Sequence, residues 1–223
     1  MALGALMVLS AALGLPTGAT CSYDAATATV QAQMASARIV VANAGDGRIL
    51  VGGRPCATLA QTRQIVVASA FPPAADTVVV DERHGRLADP ATGRRPKLFA
   101  LTGAGGDTME VIGTPGCDRY VAHDDLGASI DLDADAEPDF VSTDVGRVVL
   151  RGMAGDDRLA AGADPGDRMS RRAELFGGPG NDVLLAGRSG RDRLAGGPGL
   201  DTVRAGPGDA VTGSERSLPR RHP

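Results

Sequence analysis

Gly177-Gly-Pro-Gly-Asn-Asp-Val-Leu-Leu185 and Gly196-Gly-Pro-Gly-Leu-Asp-Thr-Val-Arg204 are two nonapeptides of one pattern, and Gly187-Arg-Ser-Gly-Arg-Asp-Arg-Leu-Ala195 stands between them. Each has glycine at positions one and four, aspartate at six and an apolar residue at eight. Two more copies lie upstream, Gly113-Thr-Pro-Gly-Cys-Asp-Arg-Tyr-Val121 and Gly152-Met-Ala-Gly-Asp-Asp-Arg-Leu-Ala160. A sixth, Ala205-Gly-Pro-Gly-Asp-Ala-Val-Thr-Gly213, keeps the glycine turn but carries its aspartate one place early, and Ala161 to Met169 is a more damaged copy. A segment merely rich in glycine would not hold aspartate and leucine in phase, so the repeat is a structural unit.

The spacing has a physical reading. Six glycine-rich residues can take the positive φ values of a tight turn, and the next three can form a short strand with its central side chain inward. Leu184, Leu194 and Val203 would line that interior. Position three is proline in four of the six copies, at Pro115, Pro179, Pro198 and Pro207, which offers a carbonyl and no opposing N–H. Carboxylate with carbonyl oxygens is the donor set of a hard cation such as Ca²⁺. One buried leucine per nine residues is little return for ordering the backbone, and stacked aspartates repel one another. A divalent cation reverses that repulsion, so metal binding is expected to be coupled to folding.

The pattern resembles the RTX, or haemolysin-type, calcium-binding nonapeptide G-G-x-G-x-D-x-U-x. Two copies match at every specified position and three at all but the second glycine, and the resemblance is specific over residues 150 to 213. It implies a right-handed parallel β-roll with two nonapeptides per coil and Ca²⁺ between neighbouring turns on one edge. Copies two apart would then share a site. Asp182 and Asp201 become its carboxylate ligands, completed by the carbonyls of Gly177, Pro179, Gly196 and Pro198. The opposite edge pairs Asp192 with Asp209 in a less complete site, and Asp157 and Asp118 are the matching aspartates upstream. One inserted residue near Ala186 puts the register between the Asp182 and Asp201 coils in question.

The remaining sequence reads as all-β. Short β-branched runs recur at Ile39-Val-Val41, Ile49-Leu-Val51, Ile65-Val-Val67, Val78-Val-Val80 and Val148-Val-Leu150, separated by turns such as Asn43-Ala-Gly-Asp-Gly47. Residues 20–149 are expected to be β-helix-like degenerate coils running into a roll at 150–213, with an antiparallel β-sandwich followed by the roll as the alternative. Residues 214–223, with Arg216, Arg220 and Arg221, read as a loose tail. Leu3 to Leu15 is an apolar run too short to span a bilayer, followed by small residues, and reads as a signal peptide over 1–19. Its amino-terminal part lacks Lys and Arg. Export would place the cysteines in an oxidising setting. Cys21 and Cys56, in one section, are the favoured bridge, with Cys117 inside a turn; spacing alone leaves the connectivity open.

Several functions are disfavoured. With 31 glycines, 3% aromatics and a net charge of −4, the chain offers neither a basic face nor stacking residues for nucleic acid. Asp131, Asp133 and Asp135 imitate the start of an EF-hand loop, but Ala136 stands where glycine is required and Ser142 where the bidentate glutamate would be. An irregular calcium site or a solvated acidic loop is the expectation there. His84, His123 and His222 form no H-E-x-x-H and there is no G-x-S-x-G. Asp81-Glu82-Arg83-His84 and His123-Asp124-Asp125 read as charged turns. The sequence therefore points to a secreted, non-enzymatic calcium-binding protein. Its partners are calcium ions, with the cell envelope or another extracellular protein as further candidates. A cell-envelope adhesin or interaction protein and, after it, a small carbohydrate-active β-helix enzyme are the alternatives.

Overall fold

The computed structural model describes residues 19–34, 36–69, 75–103, 105–124, 127–133, 135, 137–162, 169–214 and 216–217. The expected leader, Ala19 apart, lies outside them. The described residues form twenty strands and no helix: β1 (Thr20–Asp24), β2 (Thr29–Met34), β3 (Arg38–Asn43), β4 (Arg48–Val51), β5 (Arg54–Thr58), β6 (Gln64–Ser69), β7 (Thr77–Asp81), β8 (Lys97–Leu101), β9 (Asp107–Ile112), β10 (Arg119–His123), β11 (Ala128–Asp131), β12 (Phe140–Ser142), β13 (Val145–Arg151), β14 (Arg158–Ala161), β15 (Arg172–Phe176), β16 (Val183–Leu185), β17 (Arg193–Ala195), β18 (Thr202–Arg204), β19 (Ala210–Thr212) and β20 (Arg216–Ser217).

Two sheets share these strands, and from β6 onward the chain passes from one to the other at almost every turn. One runs β1-β2-β6-β8-β12-β11-β10-β14-β16-β18-β20 and the other β19-β17-β15-β13-β9-β7-β3-β4-β5. Pairing is parallel through β2, β6 and β8 and through β3, β7 and β9, the arrangement of a solenoid. The sandwich alternative for the N-terminal section does not hold. Antiparallel pairs occur at β1/β2 and β3/β4/β5 and in one excursion, β10-β11-β12, which folds back so that β12 joins β8 while β10 continues to β14.

Side chains of like position stack inward from coil to coil. In one sheet Tyr120, Leu159, Leu184 and Val203 lie in register. In the other the row is Val41, Val80, Val111, Leu150, Leu175, Leu194 and Val211. All are buried but Val211, on the last strand of its sheet. The β-branched runs became β3, β4, β6, β7 and β13, because alternate Val and Ile side chains fit a pleated face covered on its inner side. The N-terminal strands are mostly four to seven residues long, whereas β16 to β19 have three each. The last coils therefore bury about one large apolar side chain per strand, at about 1.5–3 kcal/mol apiece.

The insertion near Ala186 leaves the register intact: Leu184 still faces Val203 and Leu175 faces Leu194. Its extra residue is absorbed in the turn between β16 and β17. Arg216 and Ser217, inside the segment expected as a loose tail, instead add β20 beside β18. Cys21 on β1 is bonded to Cys56 on β5, as favoured from sequence, and Cys117 is free and exposed.

Candidate metal centre

The turns β9–β10, β13–β14, β15–β16 and β17–β18 run from the second sheet to the first along one edge of the solenoid, and each supplies the aspartate at position six of its nonapeptide. Asp118, Asp157, Asp182 and Asp201 consequently form a stack. The N–H of Asp118 donates to Oδ1 of Asp157 across 2.8 Å, that of Asp157 to Oδ1 of Asp182 across 2.9 Å, and that of Asp182 to Oδ1 of Asp201 across 2.9 Å. All four side chains are buried.

The second carboxylate oxygen folds back over the first glycine of its own repeat. A methyl added at Gly177 would strike Oδ2 of Asp182 and come within 2.7 Å of the Gly196 carbonyl; Gly152 and Gly196 have the same relation to Asp157 and Asp201. Position one is thus glycine for want of space. At Gly178 and Gly180 the reason is conformational, with φ of 116° and 149°. Met153, at the position matching Gly178, adopts φ of 82° with a side chain, a strained conformation.

Oδ2 of Asp157 and of Asp182 is buried with no hydrogen-bond partner. A carboxylate oxygen so placed is costly unless a cation or proton joins it. Burial pushes the Asp157 carboxyl up to about 7, against the Asp118 N–H, which favours the charged form, and with the Asp118 and Asp182 charges adding to the rise. Burial likewise pushes Asp182 up to about 6, with Asp201 adding to it. Desolvation dominates both.

The carbonyls named from the resemblance lie on this edge, three of them already accepting one hydrogen bond. Pro179 O accepts from Gly155 N at 3.0 Å, Pro198 O from Gly180 N at 2.9 Å and Gly196 O from Gly178 N at 2.8 Å. A carbonyl has a second lone pair, so this bonding does not close them to a cation. The Gly177 carbonyl stands over Gly152. Oxygen atoms alone, two of them buried carboxylate oxygens without partners, fit Ca²⁺.

On the opposite edge the N–H of Asp192 donates to Oδ1 of Asp209 across 2.9 Å, so these two are neighbours as expected. Here Gly187 N and Gly206 N donate to the outer oxygens of Asp192 and Asp209, and the Ser189 hydroxyl donates to Asp192. This edge satisfies its carboxylates from within the protein more fully than the first.

Two further clusters matter. Glu82, expected in a charged turn, is fully buried: it pairs with Arg95 at 2.5 Å and accepts bonds from the Tyr120 hydroxyl at 2.9 Å and Leu87 N at 2.6 Å. Burial with the Glu82 and Asp118 charges pushes the Tyr120 hydroxyl far above its ordinary value. Asp131 and Asp133 approach Asp139, a residue the EF-hand reading missed, with oxygens of all three within 4.8 Å of one another. Lys97 lies 3.1 Å from Asp139 and Arg95 3.5 Å from Asp133, so protein cations already balance this acidic loop.

The chain matches the RTX calcium-binding nonapeptide repeat in four copies, over residues 133–165, 174–189 and 186–209. No curated protein and no solved structure matches it. The matched segments contain Asp157, Asp182, Asp192 and Asp201. RTX repeats bind Ca²⁺, and this stack of turns is their β-roll: the chain carries the RTX calcium-binding nonapeptide repeat and is a calcium-binding β-roll protein.

Proposed function

We propose that this is an exported, non-enzymatic protein whose last coils are consolidated by Ca²⁺ held along the aspartate stack. Asp157, Asp182 and Asp201 supply carboxylates and Gly177, Pro179, Gly196 and Pro198 supply carbonyls, with Asp192 as a weaker ligand on the other edge. The observation that carries the reading is the pair of buried Oδ2 atoms on Asp157 and Asp182 that no protein donor reaches. Bound Ca²⁺ supplies the positive charge that these oxygens lack and that lets neighbouring carboxylates stay ionised. The residues themselves hold the turns in register through the N–H to Oδ1 ladder.

Residues 150–213 are then the calcium-responsive part, with its three-residue strands, and residues 20–149 the part with the larger core. Export is supported by the apolar leader sequence and by the Cys21–Cys56 bond. A non-enzymatic role is supported by the Glu82–Arg95–Tyr120 cluster, in which the buried Glu82 carboxylate is already engaged by both Arg95 and the Tyr120 hydroxyl. The test is calcium titration of the chelated protein, followed by circular dichroism and limited proteolysis. Residues 150–213 are expected to gain β-structure and protease resistance at about 10⁻⁴ to 10⁻³ M Ca²⁺, with Mg²⁺ a poor substitute. Identical spectra and digests with and without calcium would overturn the coupling.

A further inference from the structure

Asp118 begins the aspartate stack but is satisfied differently from the rungs below it. Its Oδ1 accepts from Nη2 of Arg86 at 3.1 Å and from the Thr114 hydroxyl at 3.1 Å, and its Oδ2 accepts from Thr114 N at 2.6 Å. Asp157 and Asp182 have Oδ2 atoms with no donor. The difference begins with sequence: position two of this copy is Thr114 instead of glycine, and its hydroxyl turns onto the carboxylate.

The rung before Asp118 is also missing. In the ladder each Oδ1 takes the N–H of the preceding aspartate, and among the described residues no aspartate N–H donates to Asp118; the Arg86 guanidinium stands in that place. The same Nη2 donates to the Cys117 carbonyl at 3.0 Å. One carboxylate and one backbone carbonyl of a single turn thus converge on it, the acceptor types a hard cation would take. Arg86 is held from the other side, because its own carbonyl accepts from Nδ2 of Asn43 at 2.9 Å, while Oδ1 of Asn43 accepts from Gly45 N and Gly47 N.

We propose that Arg86 is a resident counter-cation that closes the N-terminal end of the aspartate stack, so that Ca²⁺ enters from Asp157 onward and the Asp118 rung takes none. This rests on the calcium reading above, and it removes Asp118 from the ligands that the resemblance implied. The half-exposed Arg86 guanidinium sets its positive charge 3.1 Å from the buried Asp118 carboxylate, where it repels an arriving divalent ion and supplies without metal what the later rungs obtain from it. The N-terminal coils then hold their side of the stack at any calcium concentration.

Calorimetric calcium titration of the full chain tests this with four proteins: wild type, Asp118→Asn, Arg86→Gln and the double variant. Asp118→Asn should bind the wild-type number of ions with affinity changed by less than about twofold. Arg86→Gln should bind one ion more, and the double variant should lose that gain. In EDTA, Arg86→Gln should melt at a lower temperature than wild type, and calcium should close the gap. Loss of one ion in Asp118→Asn, or an unchanged ion count in Arg86→Gln with a melting deficit that calcium does not narrow, overturns the proposal. If the wild type binds no calcium, the earlier reading fails instead, and the four melting temperatures in EDTA decide the role of Arg86. A double-variant loss well below the sum of the single losses supports a resident cation for Asp118, and additive losses overturn it.

Discussion

The backbone N–H of Asp182 donates to Oδ1 of Asp201 across 2.9 Å, although nineteen residues of chain and a full coil of the solenoid separate them. The bond fixes which oxygen of Asp201 faces its neighbour, and the same bond recurs from Asp157 to Asp182. One carboxylate oxygen of Asp157, Asp182 and Asp201 is thereby committed to holding the coils in register. At Asp157 and Asp182 the other oxygen is buried without a donor, so register and metal affinity depend on different atoms of the same side chain.

That separation makes a substitution informative. Asp182→Asn and Asp201→Asn keep an acceptor for the ladder N–H and lose the charge, so the fold should persist while each change weakens the same ion by about tenfold to a hundredfold. The double variant should lose little beyond the singles. Asp156→Asn is the control, since Asp156 is at position five and accepts from the exposed Asn181 instead. Calorimetry with unchanged affinity and stoichiometry in both Asp182→Asn and Asp201→Asn would sink the shared site.

Gly177→Ala tests the space over the carboxylate. The added methyl would collide with Oδ2 of Asp182 and the Gly196 carbonyl, while φ at Gly177 is not in the left-handed region. Any loss therefore comes from crowding alone. Weakened calcium binding is expected together with a lower melting temperature in calcium, and wild-type calcium binding would show that Oδ2 can leave its place freely.

Acidity should act in a definite direction. Asp157 and Asp182 are raised to about 7 and about 6 from 3.8, so the folded, calcium-free protein holds protons that the unfolded chain releases. Stability from these groups is fully present below the unfolded value and is lost as pH rises through the folded ones. In EDTA the melting temperature should fall between about pH 4 and pH 7, and calcium should restore it most at the upper end, where the ligands are deprotonated. A melting temperature that climbs steadily over this range in EDTA would contradict the assignment.

The repeat was readable because its residue types answer to local demands. Gly178 and Gly180 serve positive φ, Gly177 makes room for Asp182, and Leu184 fills the interior; each demand recurs with every nonapeptide. The β-branched runs gave strands for the same reason, since Val78 and Val80 need only a covered face. What escaped was what depends on distant partners. Glu82 read as part of a charged turn because Arg95 and Tyr120, which bury it, lie 13 and 38 residues away. Arg86 meets Asp118 across 32 residues from a loop without a motif. The backtracking β10-β11-β12 excursion likewise follows from where β8 and β14 lie, which no local period encodes.

The last prediction concerns the other end of the molecule. β1 and β5 are the terminal strands of the two sheets at the N-terminal end, and exposed strand edges invite pairing with other chains. Cys21–Cys56 ties these two edges together across a sequence separation of 35 residues. Closing a loop of that size is worth about 3–4 kcal/mol in the chain-entropy account. Replacing both cysteines by serine, or reducing the bond, should therefore lower the melting temperature by on the order of 10 °C. The calcium response of residues 150–213 should be kept, because the aspartate stack begins many strands further along both sheets. Thermal melts with and without reductant measure the first effect, and calcium titration of the double serine variant measures the second. An unchanged melt would mean that the two edges hold without the staple. A lost calcium response would mean that order reaches the stack from the N-terminal end, not from the ion.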